Sequence, residues 1–281
     1  MRSCVLADTL VKEGWHSAVV TSQDTYNFLP GLERFQHFTP QEFDKNPPEC
    51  DLFVIDNYDL DALYQRKLSQ YVKKIMVIDD FANKEHNCDI LLNQNFGYNA
   101  SDYENLVPPS CKLLLGVEYC MVDASFYKLS KPTTRIQNIL FYMGGAGNID
   151  LIQGTALTCA KDFNVGIVAG FLKKATIKDA NNKITIFPHN KIIEAYRWSD
   201  LCVGFAGQGM FERYIAGIPS LIFSQNSMQE DVLKKIKSPN ILYCGDIRDV
   251  SYDLIEKKRN EIMTTYKYVP QAPNFGWINE I

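Results

Sequence analysis

The sequence predicts an α/β protein built from two Rossmann-like halves. Short apolar runs of strand length alternate with amphipathic runs of helix length along the chain. Polar residues or glycines follow the C-terminal ends of successive strands, the edge at which parallel sheets gather ligands. The alternation lapses over residues 129–135, around Pro132, and then restarts. The predicted division is an N-terminal α/β domain over 1–131, a C-terminal α/β domain over 132–263 and a tail over 264–281.

A chain of 281 residues is comfortable for two domains, and 46% hydrophobic with 22% charged residues is a globular composition. The net charge of −4 supplies no broad basic field, so nucleic acid is not an expected partner. No apolar run approaches the ~20 residues of a membrane span. The N-terminus, with Asp8 breaking a short apolar stretch, does not read as a signal peptide. Eight cysteines without a CxxC pair read as reduced thiols. The expectation is a cytoplasmic protein with no metal and no cofactor; oligomeric state is not readable.

In order, residues 1–13 form an amphipathic helix with Cys4, Val5, Ala7, Leu10 and Val11 on one face, stopped by Gly14. Strands are predicted at 17–21, 51–56, 74–78, 90–92 and 112–115, with a helix at 60–72. Asp56 and Tyr58, Asp79 and Asp80, and Asn93 and Asn95 follow three of those strands. Each is either a ligand group at a sheet edge or a turn and helix cap. In the second half, strands are predicted at 136–143, 165–168, 184–187, 201–205 and 240–244. Helices are predicted at 149–161, 190–198 and 252–263, and another follows Gly209 and stops at Gly217, ahead of a strand opened by Pro219.

Two glycine turns stand out: Gly144 with Gly145, and Gly207-Gln208-Gly209. If both lie at strand ends of one sheet, paired helix N-termini there suit a pyrophosphate without a metal. Neither turn matches G-x-G-x-x-G or a Walker loop, which disfavours dinucleotide binding and ATP hydrolysis. Glu212, read as lying in the first turn of its helix, can accept from both ribose hydroxyls or simply compensate the helix dipole. Gln229, read as lying in a polar loop, can donate to a phosphate or sugar or remain a solvated residue. His16, His37, His86 and His189 form no nucleophile-elbow arrangement, and no general base is evident.

Several segments in order carry a resemblance: Asp79-Asp80 with His86 through Asn95; Tyr142, Met143, Gly144 and Gly145; Ser199, Gly207, Glu212, Gly217, Pro219 and Gln229; and Asn274, Phe275, Gly276 and Ile278. Together they resemble the UDP-sugar hydrolases of pseudaminic acid biosynthesis, which hydrolyse UDP-2,4-diacetamido-2,4,6-trideoxy-β-L-altropyranose. The resemblance implies a GT-B-like, MurG-like fold of two Rossmann-like domains with a cleft between them, and a UDP-sugar as the small-molecule partner. It implies Gly144, Gly145 and Gly207 at the phosphates, Glu212 at the ribose and Gln229 near the diphosphate or sugar. Asp56, Tyr58, Asp80 and Asn93 would face the sugar. The family's opening strand and Gly-X-Gly-His turn would precede Met1, so the expectation is a start upstream of Met1 or a degenerate copy, with the first strand and the catalytic His missing. The family's Asn-Gln pair reads Met228-Gln229 here, and Gly147 stands where an Asp is usual. Two alternatives stay open: a GT-B glycosyltransferase using a UDP-sugar, and a non-catalytic UDP-sugar binder.

Overall fold

The computed structural model describes residues 2–29, 31–129, 132–145, 149–170, 183–269, 271 and 275–280. Of the residues named above, Met1, linker residues Ser130 and Lys131, Gly147 and Asn274 lie outside that set. The chain forms two compact units, Met1–Met121 with Asn274–Ile281, and Val122–Pro273.

The first unit begins with helix α1 (Arg2–Lys12). Leu6 and Leu10, one helical turn apart, bury its apolar face against Met76, Ile78, Leu92 and Leu114, with Trp277 and Ile278 from the C-terminal segment. Gly14, at φ 91°, lets the chain leave the helix while Trp15 N–H closes back on the Leu10 carbonyl. Strands β1 (Ala18–Val20) and β2 (Gln36–Phe38) pair in parallel as a two-stranded sheet. Around them lie α2 (Gln23–Phe28) and α3 (Pro40–Lys45), the latter opened by a Thr39–Glu42 capping box. A four-stranded parallel sheet follows in the order β3 (Cys50–Ile55), β4 (Val72–Ile78), β5 (Ile90–Asn93), β6 (Lys112–Leu115). Helix α4 spans only Ala62–Leu68, shorter than the predicted 60–72. The Asp61 carboxylate caps its start, and Val72 is already paired with Cys50.

The second unit contains α5 (Ala124–Tyr127), β7 (Asn138–Tyr142), α6 (Gln153–Cys159), β8 (Asn164–Val168), β9 (Ile184–Phe187), α7 (Ile192–Trp198) and β10 (Leu201–Phe205). It continues with α8 (Gln208–Ile215), β11 (Ser220–Ser224), α9 (Ser227–Lys234), β12 (Ile241–Asp246) and α10 (Tyr252–Thr265). Among its described residues, six strands form one parallel sheet in the order β12-β11-β10-β7-β8-β9. Counted from β7, this is the Rossmann order 3-2-1-4-5-6. Strands buried on both faces read as continuous apolar runs, which is why β10 and β11 were legible. Ala156 and Cys159 of α6 and Ile255 and Ile262 of α10 pack over Phe141, Val203 and Phe223.

Two predicted helices are shorter and start differently. Residues 149–161 divide into a 3₁₀ turn, Ile149–Leu151, and α6, while 190–198 opens as a 3₁₀ turn, His189–Lys191, before α7. Neither α6 nor α7 has a side-chain cap, so tighter turns lead into both.

Candidate functional site

In a doubly wound sheet the connections on either side of the first strand run to opposite faces, and a crevice opens where they diverge. Here that point lies between β7 and β10, paired with Gly204 opposite Tyr142. Gly144 follows β7 at φ 78° and Gly207 follows β10 at φ 117°, both in the left-handed region that favours glycine. The fold thus brings the two glycine turns to neighbouring strand ends.

The second turn is built by close approach. A Cβ on Gly204 would lie 2.3 Å from the Tyr142 carbonyl oxygen, and one on Gly209 would lie 2.9 Å from the Tyr142 ring. Gly204→Ala is therefore expected to cost about 1–3 kcal/mol through overpacking against backbone that cannot yield, seen as an earlier thermal melt; an unchanged melt would contradict this packing. Gly207 is the N-cap of α8, Gln208 its first residue, and no side chain caps it. The positive end of the α8 dipole therefore lies at the turn. At the first turn, Gly145 approaches Gly170 closely, since a Cβ there would meet the Gly145 carbonyl oxygen at 2.5 Å. The next described residues after Gly145 form a 3₁₀ turn, Ile149–Leu151.

Glu212 corrects one expectation: α8 starts at Gln208, so Glu212 lies beyond the first turn, where dipole compensation weakens. Its carboxyl accepts from the Tyr196 hydroxyl at 3.2 Å. Burial pushes Glu212 up to about 7, against the pull of neighbouring Arg213. Tyr196, fully buried on α7, packs edge-on to Tyr142, whose hydroxyl bonds to His189 Nε2 at 2.9 Å. Burial lowers the His189 pKa and raises those of Tyr142 and Tyr196. Arg213 is buried directly behind, donating to the Phe205 carbonyl at 2.9 Å. Tyr196 and Arg213 carry no local sequence signal; each reads as an ordinary residue of an amphipathic helix.

Gln229 is not in a loop. Asn226 caps α9 by accepting from the Gln229 N–H at 3.0 Å, and the Gln229 side-chain oxygen turns back to accept from Gln225 N–H at 2.9 Å. The Asn at the cap converts the predicted loop into a helix. Met228 stands exposed beside it.

In the first unit, the C-terminal ends of β3 and β4 converge on Arg2. Its guanidinium reaches Asp56 at 2.7 Å and Asp80 at 2.7 Å, and Ser3 donates to Asp56 at 2.5 Å. Tyr58 donates a short hydrogen bond to Asp80, and Asn95 donates to it at 2.9 Å. Burial would raise Asp56, but Arg2 and Ser3 hold it below the usual carboxylate range. Asn93 lies one layer deeper, fully buried, donating to Tyr103, which donates to Asp79 at 2.7 Å. Burial would raise Asp79 too, yet His86, Tyr103 and the Ala82 N–H bring it down to about 2. The sequence-named Asp56, Tyr58 and Asp80 thus meet, while Asn93 braces the layer beneath.

A cavity of about 540 Å³ lies elsewhere on the second unit, among Gln137, Asp162, Asn164 and Lys183. Those residues precede or open strands β7, β8 and β9, the edge away from the glycine turns. Among the described residues no group of three or more His, Cys, Asp or Glu side chains is arranged to hold a metal. Nor, among them, is any helix long and apolar enough to cross a membrane.

Two Rossmann-like sheets with a switch-point site define the GT-B-like class of fold, and solved structures agree. A glycotransferase of kitacinnamycin superposes with a TM-score of 0.60 at 10% identity, covering 93% of this chain and 86% of that one. A putative UDP-N-acetylglucosamine 2-epimerase from Listeria monocytogenes gives 0.55 at 12% identity, covering 100% and 90%. MurG of Acinetobacter baumannii gives 0.52 at 12% identity, covering 94% and 86%. At such identities the likeness is one of fold. No protein-family model matches the chain. Among curated proteins, the UDP-2,4-diacetamido-2,4,6-trideoxy-β-L-altropyranose hydrolase of Campylobacter jejuni is 37% identical over 98 residues, 34% of this chain and 35% of that protein. An uncharacterized protein of Methanocaldococcus jannaschii is 25% identical over 219 residues, 68% of this chain and 44% of that one. The matches thus span about a third and under half of these relatives.

Proposed function

We propose that this protein binds the UDP moiety of a UDP-sugar at the β7/β10 switch point and catalyses cleavage of the sugar–diphosphate bond. The observation that carries the reading is the meeting of two glycine turns at neighbouring strand ends, with Glu212 one helical turn away. In this reading the diphosphate lies on Gly207-Gln208-Gly209 and the α8 N-terminus, with Gly144 and Gly145 beside it. Glu212 accepts from the ribose, and Gln229 lies near the diphosphate. On the first unit, Asp56, Tyr58 and Asp80, braced by Asn93, form a polar cluster whose chemistry suits sugar hydroxyl and amide groups.

The specific substrate proposed is the 2,4-diacetamido-2,4,6-trideoxy sugar nucleotide named for the Campylobacter jejuni relative, with water as acceptor. The anomeric C–O bond to the β-phosphate breaks, water oxygen bonds to the anomeric carbon and gives up a proton to solvent, and UDP carries away the electron pair. Stabilising that leaving charge is the work the glycine turn and helix dipole can do. The likeness in fold to glycosyltransferases favours a second reading, in which a sugar hydroxyl replaces water. Incubation with this UDP-sugar, following UDP release by chromatography, is the test. Release without acceptor is the expected result; release only with added acceptor would move the assignment to transfer. UDP binding without release would make the protein a binder, and absence of UDP binding would overturn the proposal.

A further inference from the structure

Arg213 is 1% exposed, one of the largest fully buried side chains in the protein. Its partners do not account for that burial. One guanidinium nitrogen donates to the Phe205 carbonyl, and Nε has no hydrogen-bond partner. Among the described residues no carboxylate lies within ion-pair distance of it; the neighbouring Glu212 carboxyl attracts it without a direct bridge. Buried charges are ordinarily paired, because taking an uncompensated guanidinium out of water is strongly unfavourable, and an apolar side chain of similar volume commonly serves a fold better. Its position is specific. The guanidinium nitrogens lie 3.2 and 3.4 Å from where a Cβ on Gly204 would stand, and one lies 3.4 Å from a Cβ built on Gly209. The guanidinium therefore lies directly against the backbone of Gly204 and Gly209 on either side of the turn. The uncapped α8 N-terminus acts at the same turn with the same sign.

We propose that Arg213 is a positioning residue whose buried, unbridged charge, acting through the backbone of residues 204–209, makes this turn select a diphosphate over a monophosphate. The inference rests on the UDP site proposed above and adds the origin of its charge selectivity. A low-dielectric layer of backbone transmits the field better than water would. No contact between the guanidinium and the ligand is required.

The test is calorimetric titration of the full-length protein with UDP, UMP and inorganic pyrophosphate, for the wild type, Arg213→Met and Arg213→Lys. For Arg213→Met, the expected result is a melting temperature equal to or above wild type. UDP and pyrophosphate should bind roughly tenfold more weakly, and UMP should weaken less, so that the UDP-to-UMP affinity ratio shrinks. Arg213→Lys keeps the charge without the guanidinium fork and should retain most of the ratio. An unfolded Arg213→Met, equal weakening of UDP and UMP, or Arg213→Lys losing as much as Arg213→Met would assign a structural role and overturn the inference. Unchanged UDP binding by folded Arg213→Met would sink it alone. If the wild type binds neither UDP nor pyrophosphate, the UDP site itself fails.

Discussion

Glu212→Gln is expected to weaken UDP binding by about 1.5–3 kcal/mol, the range for hydrogen bonds to a charged acceptor, or roughly 10- to 100-fold in Kd. It should also abolish discrimination between UDP and 2′-deoxy-UDP. The physical reason is that only an ionised carboxylate can accept from both ribose hydroxyls, and an amide offers one acceptor. Because burial holds Glu212 at about 7, wild-type affinity should rise as pH rises from 6 to 8, while the variant's should stay flat. Stability should move the other way. The folded-state pKa lies above the ordinary 4.5, so between those values the folded protein keeps a proton that the unfolded chain has lost. Stability then falls as pH rises through that window and levels off above it. Replacing the carboxyl by an amide should remove that slope, worth on the order of 2–3 kcal/mol. Denaturant melts at pH 5 and pH 8 measure it. Equal slopes in the two proteins would contradict the buried-acid assignment, and equal ribo and deoxyribo affinity in the wild type would remove Glu212 from the ribose.

Arg2→Met is expected to be the most destabilising change in the first unit. Arg2 is 14% exposed and holds two carboxylates that are 26% and 15% exposed. Removing it leaves Asp56 and Asp80 facing each other without the guanidinium that bridges them. Breaking a fully buried pair costs 3–5 kcal/mol, and partial exposure reduces this to about 2–4 kcal/mol here. The same linkage predicts a pH dependence. Asp56 is held below its ordinary 3.8, so its contribution is present above that value and is lost as pH falls through the folded-state pKa. Thermal melts of Arg2→Met, and of Arg2→Met combined with Asp80→Asn, check the point. The double variant should recover part of the loss, because it removes one of the two opposed charges. A single variant melting like the wild type would show that solvent already compensates the cluster.

Much of the fold was legible because its signals are local. β10 and the centre of β11, Leu221–Phe223, are short apolar runs, Gly14 and Gly217 end helices at positive φ, and Pro219 precedes a strand. Helix limits were less legible where a single side chain sets them. Asn226 turns the stretch after β11 into α9 and takes Gln229 with it. Asp61 delays α4, and tight 3₁₀ turns replace the first turns expected before α6 and α7.

The sequence alone determined the α/β class, the placement of the glycine turns at strand ends and the acids that follow β3 and β4, since periodicity and backbone freedom are properties of neighbouring residues. Only the tertiary structure decided which of these features meet. Pairing of β7 with β10 joins turns more than sixty residues apart in the chain. Packing within the first unit buries Asn93 in a polar network, and packing within the second raises the pKa of Glu212 and places Arg213 beneath the second turn. Burial and charge compensation depend on residues far apart in sequence, so no local pattern could distinguish Arg213 from a solvated helix arginine.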